Sequence, residues 1–94
     1  MWWVYVVRCA DDTLYCGIAR DVAARMAQHE AGTGAKYTRG RGPLTLLLER
    51  RCRAKGTALR LEHAIKQLTR AEKQQLDAKR VAAIARRITR ALSG

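Results

Sequence analysis

The sequence predicts a small α+β protein in which a three-stranded, mostly antiparallel sheet is flanked by helices. Three observations predict this fold. Two apolar-aromatic runs open the chain on either side of a short polar break, a leucine-rich run follows the one proline, and later segments repeat their apolar residues at helical spacing. Ninety-four residues with an apolar fraction of 48% are typical of one globular domain, which excludes a disordered chain.

The opening stretch, WWVYVVRCADDTLYCG, predicts a β-hairpin. Trp2–Arg8 and Thr13–Ile18 are rich in β-branched and aromatic residues, and the break between them carries two aspartates. Tyr5 and Tyr15 stand at positions of the same parity, so a connecting loop with an odd number of residues places both phenols on one face of the hairpin. On the hairpin alone, two ordinary strand aromatics are the preferred interpretation.

The next segment, ARDVAARMAQHE, predicts a helix with Asp21 as its N-cap. Val22 and Met26 form an apolar stripe that faces the sheet. Arg25 and His29 are four residues apart and share a face. They flank the apolar stripe, so we expect both at its border with solvent.

Gly32 ends this helix and begins a glycine-rich basic loop, GTGAKYTRGRG. The loop lacks the strand–GxxxxGK[ST]–helix pattern of a nucleotide-binding P-loop. Its charged and aromatic residues are candidate nucleic-acid contacts, with base stacking as the role of the tyrosine. These residues are Lys36, Tyr37, Arg39 and Arg41. A long surface connection is the alternative interpretation.

Pro43 precedes a predicted strand over Leu44–Cys52, because proline is tolerated where a strand begins. We expect the buried middle of this strand at Leu46, Leu47 and Leu48.

A second helix is predicted over Ala58–Leu68, with Thr57 as its cap and a regular apolar stripe. Glu62 borders that stripe, where a bare carboxylate is costly. It therefore requires a partner, and either a cation bound for function or a structural salt bridge satisfies it.

Thr69 and Glu72 match a capping box and predict the start of a third helix. Val81, Ile84 and Ile88 lie on the apolar stripe of a last helix whose other face is rich in arginine. That basic face either follows a nucleic-acid backbone or only solubilises the surface. The pattern leaves open whether the residues around Asp77 separate these two helices.

Charge and cysteine usage limit the partners and the cellular compartment. Nineteen Lys and Arg against eight Asp and Glu give a net charge of +11, which points to a polyanion such as nucleic acid. Cys9, Cys16 and Cys52 have no CxxC or zinc-ribbon spacing, so reduced thiols in a cytoplasmic protein are expected and a zinc site is disfavoured. No signal peptide or membrane span is predicted.

Read together, Trp3-Val4-Tyr5, Tyr15-Cys16-Gly17, Arg25, His29 and Glu62 occur in the order and spacing of the GIY-YIG nuclease motifs. The chain resembles the short, stand-alone bacterial members of that family over about residues 2–76. The resemblance implies one nuclease domain over 1–94, with a core of about 2–76 and a basic helical extension over 77–94.

The resemblance also implies roles for these residues. Either Tyr5 or Tyr15 takes a proton from a water that attacks the phosphorus, and the other orients the water or the phosphate. Arg25 neutralises charge on the phosphoryl oxygens, and His29 contacts the phosphate or relays a proton. Glu62 holds one Mg²⁺ or Mn²⁺, and the products carry 5′-phosphate and 3′-hydroxyl ends.

The function implied is a metal-dependent endonuclease that hydrolyses DNA with a preference for structure or single strands over sequence. The expected partner is nucleic acid, with no membrane and no small-molecule cofactor, and the oligomeric state is left open. A non-catalytic nucleic-acid-binding module on the same fold and an RNA-directed nuclease are the alternatives.

Three departures from the family pattern concern auxiliary positions. Trp3-Val4 and Cys16 replace packing residues of the name motif. Ile18 stands where some members carry a lysine that assists the tyrosine, and the chain contains no asparagine. The expected catalytic minimum is present while its auxiliary groups are few.

Overall fold

Three antiparallel β-strands form one sheet with β1 in its centre. The computed structural model describes residues 1–32 and 42–93. The strands are β1 (Trp2–Arg8), β2 (Leu14–Ala19) and β3 (Thr45–Cys52), in the order β2-β1-β3. β1 is the central strand, and helices cover both of its faces, so its residues Val4, Tyr5, Val6 and Val7 are all buried. The predicted α+β fold with a three-stranded antiparallel sheet is confirmed.

The β1–β2 connection contains five residues, the odd number that the parity argument requires. The Asp11 carboxylate accepts hydrogen bonds from the backbone N–H and the hydroxyl of Thr13. Asp12 adopts a positive φ of 65°, a conformation that aspartate tolerates better than most residues. The turn chemistry predicted from the two aspartates is therefore present.

β3 differs from the prediction in its burial. Leu46 and Leu47 are exposed and Leu48 is half-buried, so the expected buried leucine middle is wrong. β3 is an edge strand, and its register with β1 shifts between Val6 and Val7. Such a bulge redirects side chains away from the faces that strict alternation would give them.

Helix α1 (Val22–Glu30) begins and ends as predicted. The Asp21 carboxylate accepts from the backbone N–H of Ala24, and Gly32 adopts a φ of +78° just after the helix. Val22 is buried and Met26 packs beside it against the sheet.

Helix α2 (Lys55–Lys66) begins three residues before the predicted start. Ala54 is the N-cap and makes no side-chain cap bond, so Thr57 lies inside the first turn and the prediction that it caps the helix is wrong. Favourable burial of the stripe compensates for the missing cap, because Ala58, Leu61 and Ile65 are buried as expected.

Two separate helices complete the described chain, α3 (Arg70–Gln74) and α4 (Ala78–Ser93). The capping box of Thr69 and Glu72 is formed in both directions. The Asp77 carboxylate accepts from the backbone N–H of Arg80 at 2.7 Å and so caps α4, which answers the question left open by the sequence.

The helices divide between the two faces of the sheet. α2 and α4 cover one face, where Val4, Val6, Leu61, Ile65 and Val81 belong to one apolar cluster. α1 covers the other face, where a smaller cluster contains Tyr5, Val7, Ala19 and Val22. Tyr5 and the candidate residues of α1 lie on this second face, whereas Glu62 belongs to α2 in the opposite layer.

The cysteines form no disulfide in the described part of the chain, as expected for reduced thiols. All three cysteines are buried free thiols. Within the described part of the chain, no helix has both the length and the apolar character needed to cross a membrane.

Candidate active site

The two tyrosines of the hairpin lie next to each other on the α1 face of the sheet. Tyr5 pairs with Gly17 and Val7 pairs with Tyr15, so the tyrosines are diagonal neighbours across β1 and β2. Their ring centroids are 6.3 Å apart, with the ring planes tilted by 57°. With a five-residue loop between the strands, the expectation that both phenols lie on one face of the hairpin is confirmed.

Gly17 makes room for the Tyr5 side chain. A Cβ atom at this position would lie 2.6 Å from the Tyr5 hydroxyl oxygen and 2.8 Å from the adjacent ring carbon. Any side chain larger than hydrogen would displace the phenol. The glycine of the motif thus has a steric function for the neighbouring strand, which the hairpin pattern did not reveal.

His29 reaches the tyrosines from the last turn of α1. Its Nε2 atom lies 2.8 Å from the Tyr5 hydroxyl oxygen, and its ring centroid is 5.5 Å from that of Tyr15. The prediction that His29 lies at the border with solvent is wrong, because only 3% of the residue is exposed. His29 follows Val22 by seven residues, so it continues the inward stripe of α1 and its ring covers both phenols.

The Tyr5–His29 pair is neutral at neutral pH. Burial raises the pKa of Tyr5 to about 12, although Arg25 acts in the opposite direction. Burial, and secondly the Arg25 charge, lowers the pKa of His29 below its usual 6.5. Tyr5 is therefore a protonated phenol bonded to a neutral imidazole, and its O–H donates to Nε2 in the tautomer that carries the His29 proton on Nδ1.

Arg25 is the cation beside this pair. It lies one turn before His29 on α1, is half-buried as expected from the pattern, and acts on the pKa values of both Tyr5 and His29. Its Nη1 atom donates to Gln28 Oε1 at 2.8 Å, which orients the guanidinium. Sequence reasoning missed Gln28, although its spacing of three residues from Arg25 was a signal.

Glu62 approaches the hairpin from the other helical layer. Only 19% of its side chain is exposed, and its Oε1 atom lies 3.4 Å from Lys66 Nζ. Its charge contributes to raising the pKa of Cys16, the residue next to Tyr15, after the larger effect of burial. Glu62 thus borders the buried face as predicted, and its structural partner is a lysine one turn later, which sequence reasoning did not single out.

The donor set for a metal is small. Among residues 1–32 and 42–93, no three His, Cys, Asp or Glu side chains form a ready-made cluster. A single, partly buried carboxylate fits Mg²⁺ or Mn²⁺, because such hard cations are commonly bound through one or two carboxylates, with substrate phosphates and waters as the other ligands. The predicted nucleic-acid contacts Lys36, Tyr37, Arg39 and Arg41 lie outside the described residues.

Comparison with known proteins places this geometry in a family. A model of the GIY-YIG catalytic domain matches residues 1–75, which include all five candidate catalytic residues. The chain belongs to the GIY-YIG family. Membership indicates a nuclease domain that acts on nucleic acid, and nucleases of this family generally use a divalent metal ion.

The relatives are small proteins named as UPF0213 proteins. One from Cronobacter sakazakii is 51% identical over 75 residues, which are 80% of this chain and 79% of the relative. One from Halobacterium salinarum is 52% identical over 73 residues, 78% of this chain and 95% of the relative. These matches confirm the similarity to short, stand-alone members of the family.

A solved structure supports the same assignment. The solution NMR structure of a UPF0213 protein from Bacillus halodurans has 42% sequence identity and a TM-score of 0.52. The match covers 80% of this chain and 81% of that one. Helix α4 lies beyond the residues that the family model matches.

Proposed function

We propose that this protein is an endonuclease that hydrolyses phosphodiester bonds in DNA with one divalent cation, cutting single-stranded or structured DNA without sequence specificity. The observation that carries the proposal is the 2.8 Å hydrogen bond between Tyr5 and a buried, neutral His29. A buried phenol bonded to an imidazole that can accept its proton is a proton relay, which a binding surface does not require.

The relay begins at the attacking water. Tyr5 Oη accepts a proton from the water while the phenol passes its own proton to His29 Nε2. The water oxygen forms the new bond to phosphorus, and the bond to the 3′ oxygen breaks with its electron pair staying on that oxygen, which takes a proton from solvent to become the 3′-hydroxyl. Because the proton moves on to His29, the mechanism needs no free phenolate, which a pKa of about 12 would make rare at neutral pH.

Arg25 and Tyr15 position the substrate around this relay. The Arg25 guanidinium offers paired N–H donors to the non-bridging oxygens of the scissile phosphate, where negative charge builds up. Tyr15 is half-buried and lies edge-on to His29. Its phenol orients the water or the phosphate, and this assignment makes Tyr5 the base of the pair.

Glu62 is the residue that would hold the cation. Its carboxylate is near β2 and is the one acidic side chain of the five candidate residues. When bound, a divalent cation supplies positive charge that stabilises the departing 3′ oxygen. In the protein without a bound cation, the Lys66 ammonium balances the charge of Glu62.

The net charge of +11 supports a polyanionic substrate. The small size of the domain supports recognition of DNA structure in place of base sequence. Sequence reading requires a set of side chains placed against base edges, usually by an element that enters a groove. In the described part of the nuclease core, the elements are the sheet, α1, α2 and α3. We therefore propose recognition through the backbone and through strand flexibility.

The test is cleavage of labelled single-stranded, duplex and branched DNA and of single-stranded RNA, with Mg²⁺, with Mn²⁺ and with EDTA. Wild type is compared with Glu62→Gln and with the matched control Glu72→Gln. Both variants lose one negative charge from a helix, and glutamine preserves the capping box at position 72.

We expect metal-dependent cleavage by wild type and Glu72→Gln, and its loss in Glu62→Gln with DNA binding kept or strengthened. Equal binding by all three proteins without cleavage of any substrate would instead identify a nucleic-acid-binding module. Cleavage confined to RNA would show that the substrate class is wrong while the hydrolytic function stands.

A further inference from the structure

A cavity of about 240 Å³ lies between the β1–β2 hairpin and helices α2 and α3. Most of its wall is apolar and comes from Val6, Leu14, Ile65 and Leu76. Tyr15 and Cys16 of β2 also line it. Neither Tyr5 nor His29 lines it, but Tyr15, which also contacts His29 at the candidate site, is shared between the two.

The cavity has the size and lining of a site for one aromatic ring system. An apolar protein cavity of about 150 Å³ is sufficient to bind benzene. The larger volume here accommodates a heteroaromatic ring with room for its substituents. Apolar walls with a few polar atoms at the rim are the usual composition of a site that binds such a ring.

The charged side chains that line this cavity are cationic. Lys66 and Lys73 line it, and a second cavity of about 270 Å³ shares Leu14 and Lys73 with it and adds Arg70. Lys66 of α2 and two cations of α3, Arg70 and Lys73, therefore line two neighbouring cavities. Asp12 also lines the second cavity, and this exposed carboxylate lies 4.0 Å from Arg8. The ligand indicated is therefore an aromatic group attached to an anion.

The cavity is next to the proposed metal-binding carboxylate. Lys66, in its wall, is the ion-pair partner of Glu62. After burial, the largest influence on the pKa of Cys16 is the Glu62 charge, which raises it, and Lys66 and Lys73 act in the opposite direction. These charges converge on one thiol that is itself part of the wall. With a pKa of about 12 that thiol is neutral and adds no charge to repel an anion.

We propose that this cavity, called here the base pocket, binds the unpaired base of a nucleotide adjacent to the scissile phosphate, with Lys66 and Lys73 contacting the phosphates of that nucleotide. The inference rests on the proposed nuclease function and specifies its substrate. A base in a duplex must leave its stack before it can enter a pocket, and a single-stranded or mispaired base does not meet this cost in full. The base pocket thus gives a physical origin for single-strand preference.

The experiment is an abasic scan of an oligonucleotide in which a short duplex beside a single-stranded tail fixes where the protein binds. Each nucleotide of the tail is replaced in turn by an abasic analogue. Cleavage is measured as kcat/KM with metal, and binding is measured separately in EDTA. We expect one position at which removal of the base weakens both by about fivefold or more, the range for loss of one stacked base.

Leu76→Trp fills the base pocket, and Leu68→Trp is its matched control. Both leucines are half-buried, but Leu68 lines a different cavity, between α2 and α4. Leu76→Trp should weaken binding of the intact strand and abolish the sensitive position, whereas Leu68→Trp should keep the wild-type scan. Leu14→Trp fills the same pocket from β2 and replaces Leu76→Trp if circular dichroism shows that the latter is not folded.

A flat scan with wild type overturns the base pocket, as does a scan that folded Leu76→Trp or Leu14→Trp leaves unchanged. The two proposals fail separately. A protein that cuts DNA with a flat scan keeps the nuclease function and loses the base pocket. A protein that cuts nothing but shows a sensitive position in the EDTA binding scan keeps the base pocket and loses the nuclease function.

Discussion

The two faces of the sheet are built from the same strands but differ in composition. Val4 and Val6 of β1 point toward α2 and α4, into a cluster whose buried members are all apolar. Tyr5 and Val7 point toward α1, where the cluster is smaller and is adjoined by the buried His29. Because side chains alternate along a strand, one short segment supplies the main core and the candidate chemistry at once.

The difference in composition between the two faces explains how so small a domain can contain the buried Tyr5–His29 pair. Burying a phenol and an imidazole is costly unless they bond to each other, and the bond adds little net stability. The α2–α4 face supplies the apolar burial that offsets this cost. We therefore expect changes to the polar residues of the α1 face to reduce catalysis. Truncation of the buried apolar residues on the opposite face should instead reduce the free energy of unfolding.

Tyr5→Phe should produce the largest effect on catalysis. It removes the hydroxyl of the proposed relay and should lower kcat by about 10²-fold or more, the range for loss of a general base. His29 then lacks this hydrogen bond, so the free energy of unfolding should fall by only about 1–3 kcal/mol. Steady-state cleavage and urea denaturation measure the two quantities. A variant with unchanged kcat would contradict the assignment of Tyr5 as the base.

Leu61→Ala tests the opposite face. Leu61 is fully buried in the α2–α4 cluster, so truncation should cost about 2–5 kcal/mol of unfolding free energy. We expect kcat per folded molecule to stay close to that of wild type. If kcat at a temperature where the variant is folded fell as strongly as in Tyr5→Phe, the proposed separation between the two faces would not hold.

Gly17→Ala should reduce kcat by about tenfold or more, because the methyl group would meet the Tyr5 hydroxyl at 2.6 Å and displace it from His29. Gly56→Ala is the matched control, since no atom lies within 4 Å of a Cβ at that position in α2. The control should keep activity and, as an alanine in a helix, gain about 0.5–1 kcal/mol of stability. Equal losses in both variants would exclude a steric role for Gly17.

The buried His29 on the α1 face should make the stability of the protein depend on pH. Burial and Arg25 lower the pKa of His29 in the folded protein below the 6.5 of an unfolded histidine, so the unfolded state binds more protons as the pH falls. The His29 contribution to stability is therefore present above pH about 6.5 and is lost as the pH drops from there toward the folded pKa.

Urea denaturation between pH 5 and 8 measures this slope, and NMR titration of the His29 ring measures the pKa. His29→Gln should reduce the slope over this window, and Arg25→Gln should raise the pKa of His29. An unchanged His29 pKa in Arg25→Gln would show that the guanidinium does not act on the ring.

The smallest expected effect concerns the outer surface of α4. Lys79, Arg86, Arg87 and Arg90 are exposed on the side opposite the buried Val81, so they form one basic stripe. If this stripe contacts phosphates, Arg86→Gln combined with Arg87→Gln and Arg90→Gln should reduce the slope of log affinity against log salt by about 2–3, since each contact contributes about 0.7–0.9.

Fluorescence anisotropy with labelled DNA at several salt concentrations measures the slope. Arg53→Gln, which removes an exposed charge between β3 and α2, is the comparison for a single distant cation. A slope unchanged in the triple variant would show that the arginine stripe only solubilises the surface.

Much of the fold was readable from local signals in the chain. The hairpin, the Asp21 cap, the Thr69–Glu72 capping box and the apolar stripes of α1 and α2 depend on residues within a few positions of each other. Predictions failed where a distant element decides the result. Leu46 and Leu47 are exposed because β3 is an edge strand with a bulge, and α2 begins at Lys55 without the threonine cap.

The sequence by itself determined which residues are candidates for chemistry and that both tyrosines share one face. Only the tertiary structure decided that His29 is buried against Tyr5, that Gly17 makes room for the phenol, and that Glu62 comes from the other helical layer beside Lys66. Periodicity assigns a side chain to a face of its own element. Hydrogen bonds, steric fit and pKa values depend on the distance between elements, which chain spacing does not contain.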